Sequence, residues 1–144
     1  MMKIVNLIAV FNPDETAILM CQRTSEPYLG LYNFVGGKVD QGEDLLEAAY
    51  RELFEETGIQ KKDITLTHMI DYIYPIDQLT MNIYYGVLKK DVTLIEEKQP
   101  LLWFDVKHNF MEASFAGDGN VYHMVKCAEY YLKKQRLNKC TNQS

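Results

Sequence analysis

Gly37-Lys38-Val39-Asp40-Gln41-Gly42-Glu43, then residues 44–50, then Arg51-Glu52-Leu53-Phe54-Glu55-Glu56-Thr57-Gly58-Ile59, is the stretch on which the fold turns. It predicts a helix that starts near Gly42 to Asp44, because Asp44 and Glu47 have capping-box spacing, and that stops at Gly58. Leu46, Ala49, Tyr50 and Leu53 form its expected inner face. Glu52, Glu55 and Glu56, spaced i, i+3 and i+4, then leave one side of the helix about a turn apart. Three like charges so close repel unless something neutralises them, and a divalent cation does so. A merely solvated acidic face is the commoner fate of a charge run, but it leaves Gly37, Glu43, Arg51 and Gly58 unexplained at their spacings.

Outward from this stretch the chain alternates strand-like and turn-like segments. Lys3 to Phe11 is β-rich, with Ile4 to Phe11 a buried strand interrupted by Asn6. Asn12-Pro13-Asp14-Glu15 supplies turn chemistry and Thr16 to Arg23 resumes an apolar run, which predicts a hairpin. Thr24 to Asn33, with Pro27 and Gly30, reads as a loop. Phe34-Val35 reads as a short strand leading to Gly36-Gly37, where missing side chains permit close approach of a ligand.

Beyond the helix, Ile64 to Tyr74 and Thr80 to Leu88 are two further strand-like runs around a turn at Pro75-Ile76-Asp77-Gln78, and Leu101 to Phe104 is another. Val121, Met124, Val125, Ala128, Tyr131 and Leu132 recur at helical spacing, followed by Lys133, Lys134 and Arg136 where cations suit a helix end. Residues 1–137 are expected to form one domain and residues 138–144 a loose tail.

Length and composition agree with one compact unit: 144 residues, 47% apolar, hold one real core. The formal net charge is -5, yet residues 40–56 alone carry seven acids against one base, Arg51. The remainder is near neutral, which argues against a nucleic-acid polymer as partner and for a small phosphorylated ligand bridged by metal. Cys21, Cys127 and Cys140 are odd in number and widely spaced, so neither a disulfide framework nor a zinc site is expected, and a reduced cytoplasm is the natural setting. His68, His108 and His123 share no metal-ligand spacing and are read as structural. No apolar run is long enough for a membrane span, and no signal peptide is recognised.

The pattern G-x5-E-x7-R-E-U-x-E-E-x-G-U, with Leu53 and Ile59 as the bulky apolar positions, is complete here. It resembles the Nudix hydrolase signature, nine restricted positions at fixed spacing, far more specific than a lone glycine-rich motif. The resemblance implies an α/β fold, a mixed β-sheet sandwiched between helices. It also implies a divalent-metal enzyme acting on phosphoanhydrides, with Mg2+ as the ion and Mn2+ as a substitute, since a hard ion prefers oxygen ligands. Glu52, Glu55 and Glu56 are the implied metal positions, joined by the Gly37 carbonyl, and Glu43 assists nearby. Arg51 would orient a neighbouring glutamate. The general base varies in this family: a glutamate of the signature is favoured, with Glu96, Glu97 and Glu112 as other candidates. Arg23 and Lys38 match positions that often touch phosphates, or are ordinary surface cations.

For the substrate, Phe115-Ala116-Gly117-Asp118-Gly119-Asn120 resembles the base-recognition region of MutT-like 8-oxo-dGTP diphosphatases. Asn120 offers both a donor and an acceptor to a purine edge; it is equally suited to cap the helix that follows, in which case Asp118 takes over base reading. Tyr28, Tyr74, Tyr84 and Trp103 are candidates for a stacking wall, although Trp103 on a strand is more often core. The expected reaction is hydrolysis of an oxidised purine dNTP to monophosphate and pyrophosphate. Pro75, some sixteen residues past the signature, is a loose marker of ADP-ribose pyrophosphatases and as readily a turn residue, so a nucleoside-diphosphate derivative is the alternative substrate. A non-catalytic nucleotide sensor is the second alternative, against which stands the full set of glutamates.

Overall fold

The computed structural model describes residues 2–142, with side chains described through residue 139. Six strands form one mixed sheet: β1 (Lys3–Phe11), β2 (Ala17–Gln22), β3 (Tyr32–Asn33), β4 (Thr67–Tyr74), β5 (Leu79–Val87) and β6 (Leu101–Asp105). The order is β3-β2-β1-β5-β4, with β6 pairing β2. Strands β1 and β5 run parallel along their full length, from Lys3 opposite Leu79 to Phe11 opposite Val87; the other pairings are antiparallel.

Strand β1 is buried on both faces, which explains its near-continuous apolar sequence. Successive side chains point to opposite sides. Ile8 and Val10 join Leu19, Val35, Ala49 and Leu53 in one core under helix α1 (Leu45–Thr57). Ala9 and Phe11 join Phe34, Ile83, Val121, Met124 and Val125 in the other, under helix α2 (Asn120–Asn142). The result is the expected α/β/α sandwich. Leu53, fully buried, contributes about 1.5–3 kcal/mol by burial alone.

Several local expectations differ from the structure. The two-residue strand β3 lies at Tyr32–Asn33, inside the anticipated loop, while Val35 makes only an isolated bridge to Ile8. A short 3-10 helix, Lys61–Asp63, was not anticipated. Leu46 is 40% exposed; the face of α1 that meets the sheet is Ala48, Ala49, Glu52, Leu53 and Glu56, because the helix turns Glu52 and Glu56 inward and rotates Leu46 to solvent. Trp103 is also partly exposed on β6. Helix α2 continues through Asn142, so residues 138–142 extend the helix where a tail was expected; residues 143 and 144 lie outside the described part. Among the described residues no helix is long and apolar enough to cross a membrane.

Candidate active site

Helix α1 is placed by its two ends. Asp44 caps its start by accepting from the Glu47 amide at 3.0 Å, and Gly58 ends it with φ +80°, its amide donating to Phe54 O. Only half the capping box is made, because the Glu47 carboxylate pairs with Lys61 Nζ instead. Past Gly58 the chain folds back: Ile95 N donates to Thr57 O at 2.9 Å, and Ile95 packs so closely on Gly58 that a Cβ there would lie 2.9 Å from its Cδ1. That return brings Lys98 to Glu56, Nζ to Oε1 3.8 Å. The spacing of the signature carries no trace of Lys98; only the fold reveals it.

Arg51 is the hub of the cluster. Its Nε donates to Glu43 Oε2 at 2.7 Å and Nη2 to Glu43 Oε1 at 2.9 Å, a bidentate pair. Its Nη1 reaches Glu52 Oε1 at 3.0 Å and Glu55 Oε2 at 3.1 Å, and Nη2 also donates to Lys38 O at 3.0 Å. One guanidinium therefore ties the loop before α1 to three of the signature's glutamates.

Electrostatics follow burial and these partners. Arg51 holds the half-buried Glu43 carboxyl down at about 2 by its hydrogen bonds, and Glu43 in turn raises Arg51. Glu52 and Glu56, only 7% and 8% exposed, are pushed up by desolvation, against the opposing pull of Arg51 on the one and Lys98 on the other. Burying two carboxylates this way is costly, and additional cationic charge would relieve it.

The backbone opposite is shaped to receive Glu52. A Cβ on Gly37 would lie 2.2 Å from Glu52 Oε2, so only glycine lets the carboxylate press against this loop. Gly37 is itself pinned by Asn6, whose Oδ1 accepts from Gly37 N at 3.0 Å and whose amide donates to Gly37 O at 2.8 Å. The polar residue interrupting β1 thus has a purpose. Asn6 Nδ2 and, on its registered neighbour Asn82, Oδ1 are a buried donor and a buried acceptor without a partner.

Among the described residues no three Asp, Glu, His or Cys side chains converge as a ready metal cage, because Arg51 draws Glu43, Glu52 and Glu55 to itself and Lys98 draws Glu56. The donor set still fits a hard divalent cation: it is all oxygen, two carboxylates are buried, and Gly37 leaves a cradle at Glu52 that a side chain would fill. The Gly37 carbonyl, occupied once by Asn6, keeps a second lone pair.

The remaining expected residues divide. Asn120 and Asp118 line a cleft of about 420 Å³ on the α2 side of the sheet, with Asn33, Asp77, Tyr28 and Tyr74. Asn120 Nδ2 donates to Tyr74 Oη at 2.7 Å, while the helix's own first-turn amide at His123 is taken by Gly119 O. Asp77, at the tip of the β4–β5 turn, carried no signal in sequence. Arg23 Nε donates to Pro27 O at 2.6 Å. The Lys38 side chain borders a separate cleft with Met2, Lys3 and Val39. Of the loop acids, Glu96 accepts from the Leu101 amide and Glu112 faces His108, whereas Glu97 shares a cleft with Glu55 and Lys98. Each histidine has a local partner: His68 with Asp71, His108 with Glu112, His123 with Tyr72.

This architecture and site match known proteins. The NUDIX domain family matches residues 2–119. Over 60 residues, 42% of this chain and 47% of the relative, the chain is 38% identical to the 8-oxo-dGTP diphosphatase of Buchnera aphidicola subsp. Acyrthosiphon pisum. Over 82 residues, 56% of this chain and 64% of the relative, it is 27% identical to the 8-oxo-dGTP diphosphatase of Escherichia coli K12. The matched stretches thus span between about half and just under two thirds of the length of these curated relatives. Among solved structures, a MutT described from Aliivibrio salmonicida and Vibrio cholerae has a TM-score of 0.70 at 20% identity, covering 90% of this chain and 99% of that one. The NUDIX domain of Shewanella oneidensis NrtR, complexed with ADP ribose, has a TM-score of 0.74 at 15% identity, covering 92% and 89%. At such identities these structures speak for the fold alone. With the domain match running through both the carboxylate helix and the sheet that carries it, the chain belongs to the Nudix family.

Proposed function

We propose that this protein is a Mg2+-dependent pyrophosphohydrolase that cleaves an oxidised purine nucleoside triphosphate, such as 8-oxo-dGTP, to monophosphate and pyrophosphate. The observation that carries this reading is the short stretch of residues 33–37, with Asn33 in the cleft at one end and Gly37 against Glu52 at the other. Four residues of extended chain span at most about 13 Å, within the reach of a nucleoside triphosphate laid along it.

Glu52, Glu55 and Glu56, with the Gly37 carbonyl, would hold the ion, and Glu43 with Arg51 would fix their positions. A bound divalent ion supplies shielding of phosphate charge and a more acidic water. Water attack on phosphorus would break the anhydride P–O bond between the α- and β-phosphoryl groups, and a glutamate of the signature would accept the water's proton. Glu96 and Glu112 are poorer bases for this role, being committed to Leu101 and His108.

In the cleft, Asp77 and Asp118 accept hydrogen bonds only, and Asn33 and Asn120 do both. A guanine edge offers adjacent N–H donors, and oxidation at C8 converts N7 from acceptor to donor, so a donor-rich base suits this lining. The Asn120 side chain spends its Nδ2 on Tyr74 rather than on capping, and its Oδ1 can still accept from a ligand. Pro75 has a turn to make, its carbonyl accepting from Gln78 N at 3.2 Å, which weakens the ADP-ribose alternative.

A panel of dNTPs, 8-oxo-dGTP, ADP-ribose and dinucleoside polyphosphates, assayed with Mg2+ and scored by product, tests this reading. Pyrophosphate release from triphosphates supports it; cleavage of ADP-ribose alone, or binding without turnover, replaces it by one of the alternatives. Asn120→Ala should change the preference between oxidised and ordinary purines more than turnover in general; equal loss on every substrate would make Asn120 a structural residue.

A further inference from the structure

The loop between β2 and β3 is tied closed at its base. Arg23 N donates to Leu31 O at 2.9 Å, and Gly30 N returns a bond to Arg23 O at 2.8 Å. Gln22 Nε2 adds a bond to Gly30 O at 3.1 Å, and Leu31 N donates to Tyr28 O at 3.0 Å. Arg23 Nε donates to the Pro27 carbonyl at 2.6 Å. That carbonyl belongs to the peptide unit leading into Tyr28, so the arginine fixes the chain directly before the tyrosine.

Tyr28 itself has φ +66°, a left-handed conformation that a bulky side chain keeps only when its surroundings hold it there. It is 41% exposed, yet it borders the cleft formed with Asn33, Tyr74, Asp77, Asp118 and Asn120. The other aromatic candidates are placed differently. Tyr84 is buried in the core on the α1 side, Trp103 lies on β6, and the Tyr74 hydroxyl is engaged by Asn120. The cleft has an apolar floor that includes Leu7, Met81 and Met124, with Asn33, Asp118 and Asn120 as polar groups, and a half-exposed tyrosine on its border suits the face of a planar ring.

We propose that Tyr28 is the stacking wall for the base of the substrate, and that Arg23 is the positioning residue that sets Tyr28 there by holding Pro27, rather than a phosphate ligand. This rests on the reading of the cleft as a base site. Stacking on an aromatic side chain is tolerant of base identity, so Tyr28 governs affinity for nucleobases as a class and leaves discrimination to the polar residues beneath.

The test compares wild type, Tyr28→Phe, Tyr28→Ala, Arg23→Ala and the Tyr28→Ala/Arg23→Ala double variant. KM and kcat are measured on 8-oxo-dGTP and dGTP, and competitive inhibition is measured with pyrophosphate, which has no base. Dissociation constants for dGMP in EDTA, by calorimetry, give a readout independent of turnover. Tyr28→Ala should raise KM and the dGMP dissociation constant about tenfold or more, with kcat and pyrophosphate inhibition little changed, and Tyr28→Phe should behave as wild type. Arg23→Ala should move the same quantities in the same direction, and the double variant should add nothing to Tyr28→Ala. Unchanged dGMP affinity in Tyr28→Ala overturns the stacking role. An Arg23→Ala effect that adds to Tyr28→Ala and weakens pyrophosphate overturns the positioning role and makes Arg23 a phosphate ligand. If wild type neither binds dGMP nor turns over any nucleoside triphosphate, the base-site reading itself fails, a result distinct from either of these.

Discussion

Replacing Gly37 by alanine separates the site from the scaffold. The added Cβ would lie 2.2 Å from Glu52 Oε2 and 2.4 Å from its Cδ, so the carboxylate must retreat by about 1.2 Å or more to reach ordinary contact near 3.4 Å. Because the clash is with the end of a flexible side chain, the backbone need not move. The retreat breaks the 3.0 Å bond from Arg51 to Glu52, a charge-assisted bond of about 1.5–3 kcal/mol, but it also returns to water a carboxylate whose charge burial disfavours. We expect a net loss of about 1 kcal/mol, read from urea unfolding, and a fall in turnover of about a hundredfold, the scale of a 1 Å misplacement at a reacting centre. Gly36→Ala is the contrast: there a Cβ would lie 2.0 Å from the backbone oxygen of Asn6, and the fold should suffer. Turnover in folded Gly37→Ala within threefold of wild type would refute the claim that this glycine exists to seat Glu52.

Gly58→Ala should cost about 1–3 kcal/mol in a denaturant melt, because φ is +80° and the new methyl meets Ile95 at 2.9 Å; an unaltered midpoint would mean that the return loop does not pack on the helix end. Cys21 is buried, and desolvation pushes its thiol up to about 11 from 9.0. The unfolded chain therefore loses this proton first as pH rises, so the thiol adds no penalty below about pH 9 and folded stability falls progressively between about pH 9 and 11. Peptide mapping after alkylation at pH 8 should find Cys21 unmodified in native protein and modified in urea; rapid native labelling would contradict its burial.

What the sequence makes legible depends on whether the cause is local. Helix α1 is readable because Asp44 and Gly58 are local punctuation, and β1 because an apolar run buried on both faces needs no knowledge of its neighbours. The rotation of α1 is not readable: Leu46 has the right spacing to be inside, but the sheet and Gly37 receive Glu52 instead. Residues 138–142, mostly polar, show no apolar spacing in sequence, yet they continue a helix already anchored by Val121 to Leu132. In the site, the spacing exposes Glu52, Glu55 and Glu56, since all sit on one helix. Lys98, Asp77 and Asn6 come from a loop, a turn and a strand, and only tertiary folding brings them in. Arg23 has a partner that its spacing does not show, the Pro27 carbonyl.

The central claim is that the Glu52, Glu55 and Glu56 side of α1 is a metal-dependent hydrolytic centre. The most direct measurement is product analysis of 8-oxo-dGTP incubated with Mg2+ and wild type, Glu55→Gln or Glu56→Gln, each checked for a native melt. The account predicts monophosphate and pyrophosphate from wild type, none when Mg2+ is chelated, and almost none from either folded variant. Undiminished pyrophosphate release by both variants would contradict it.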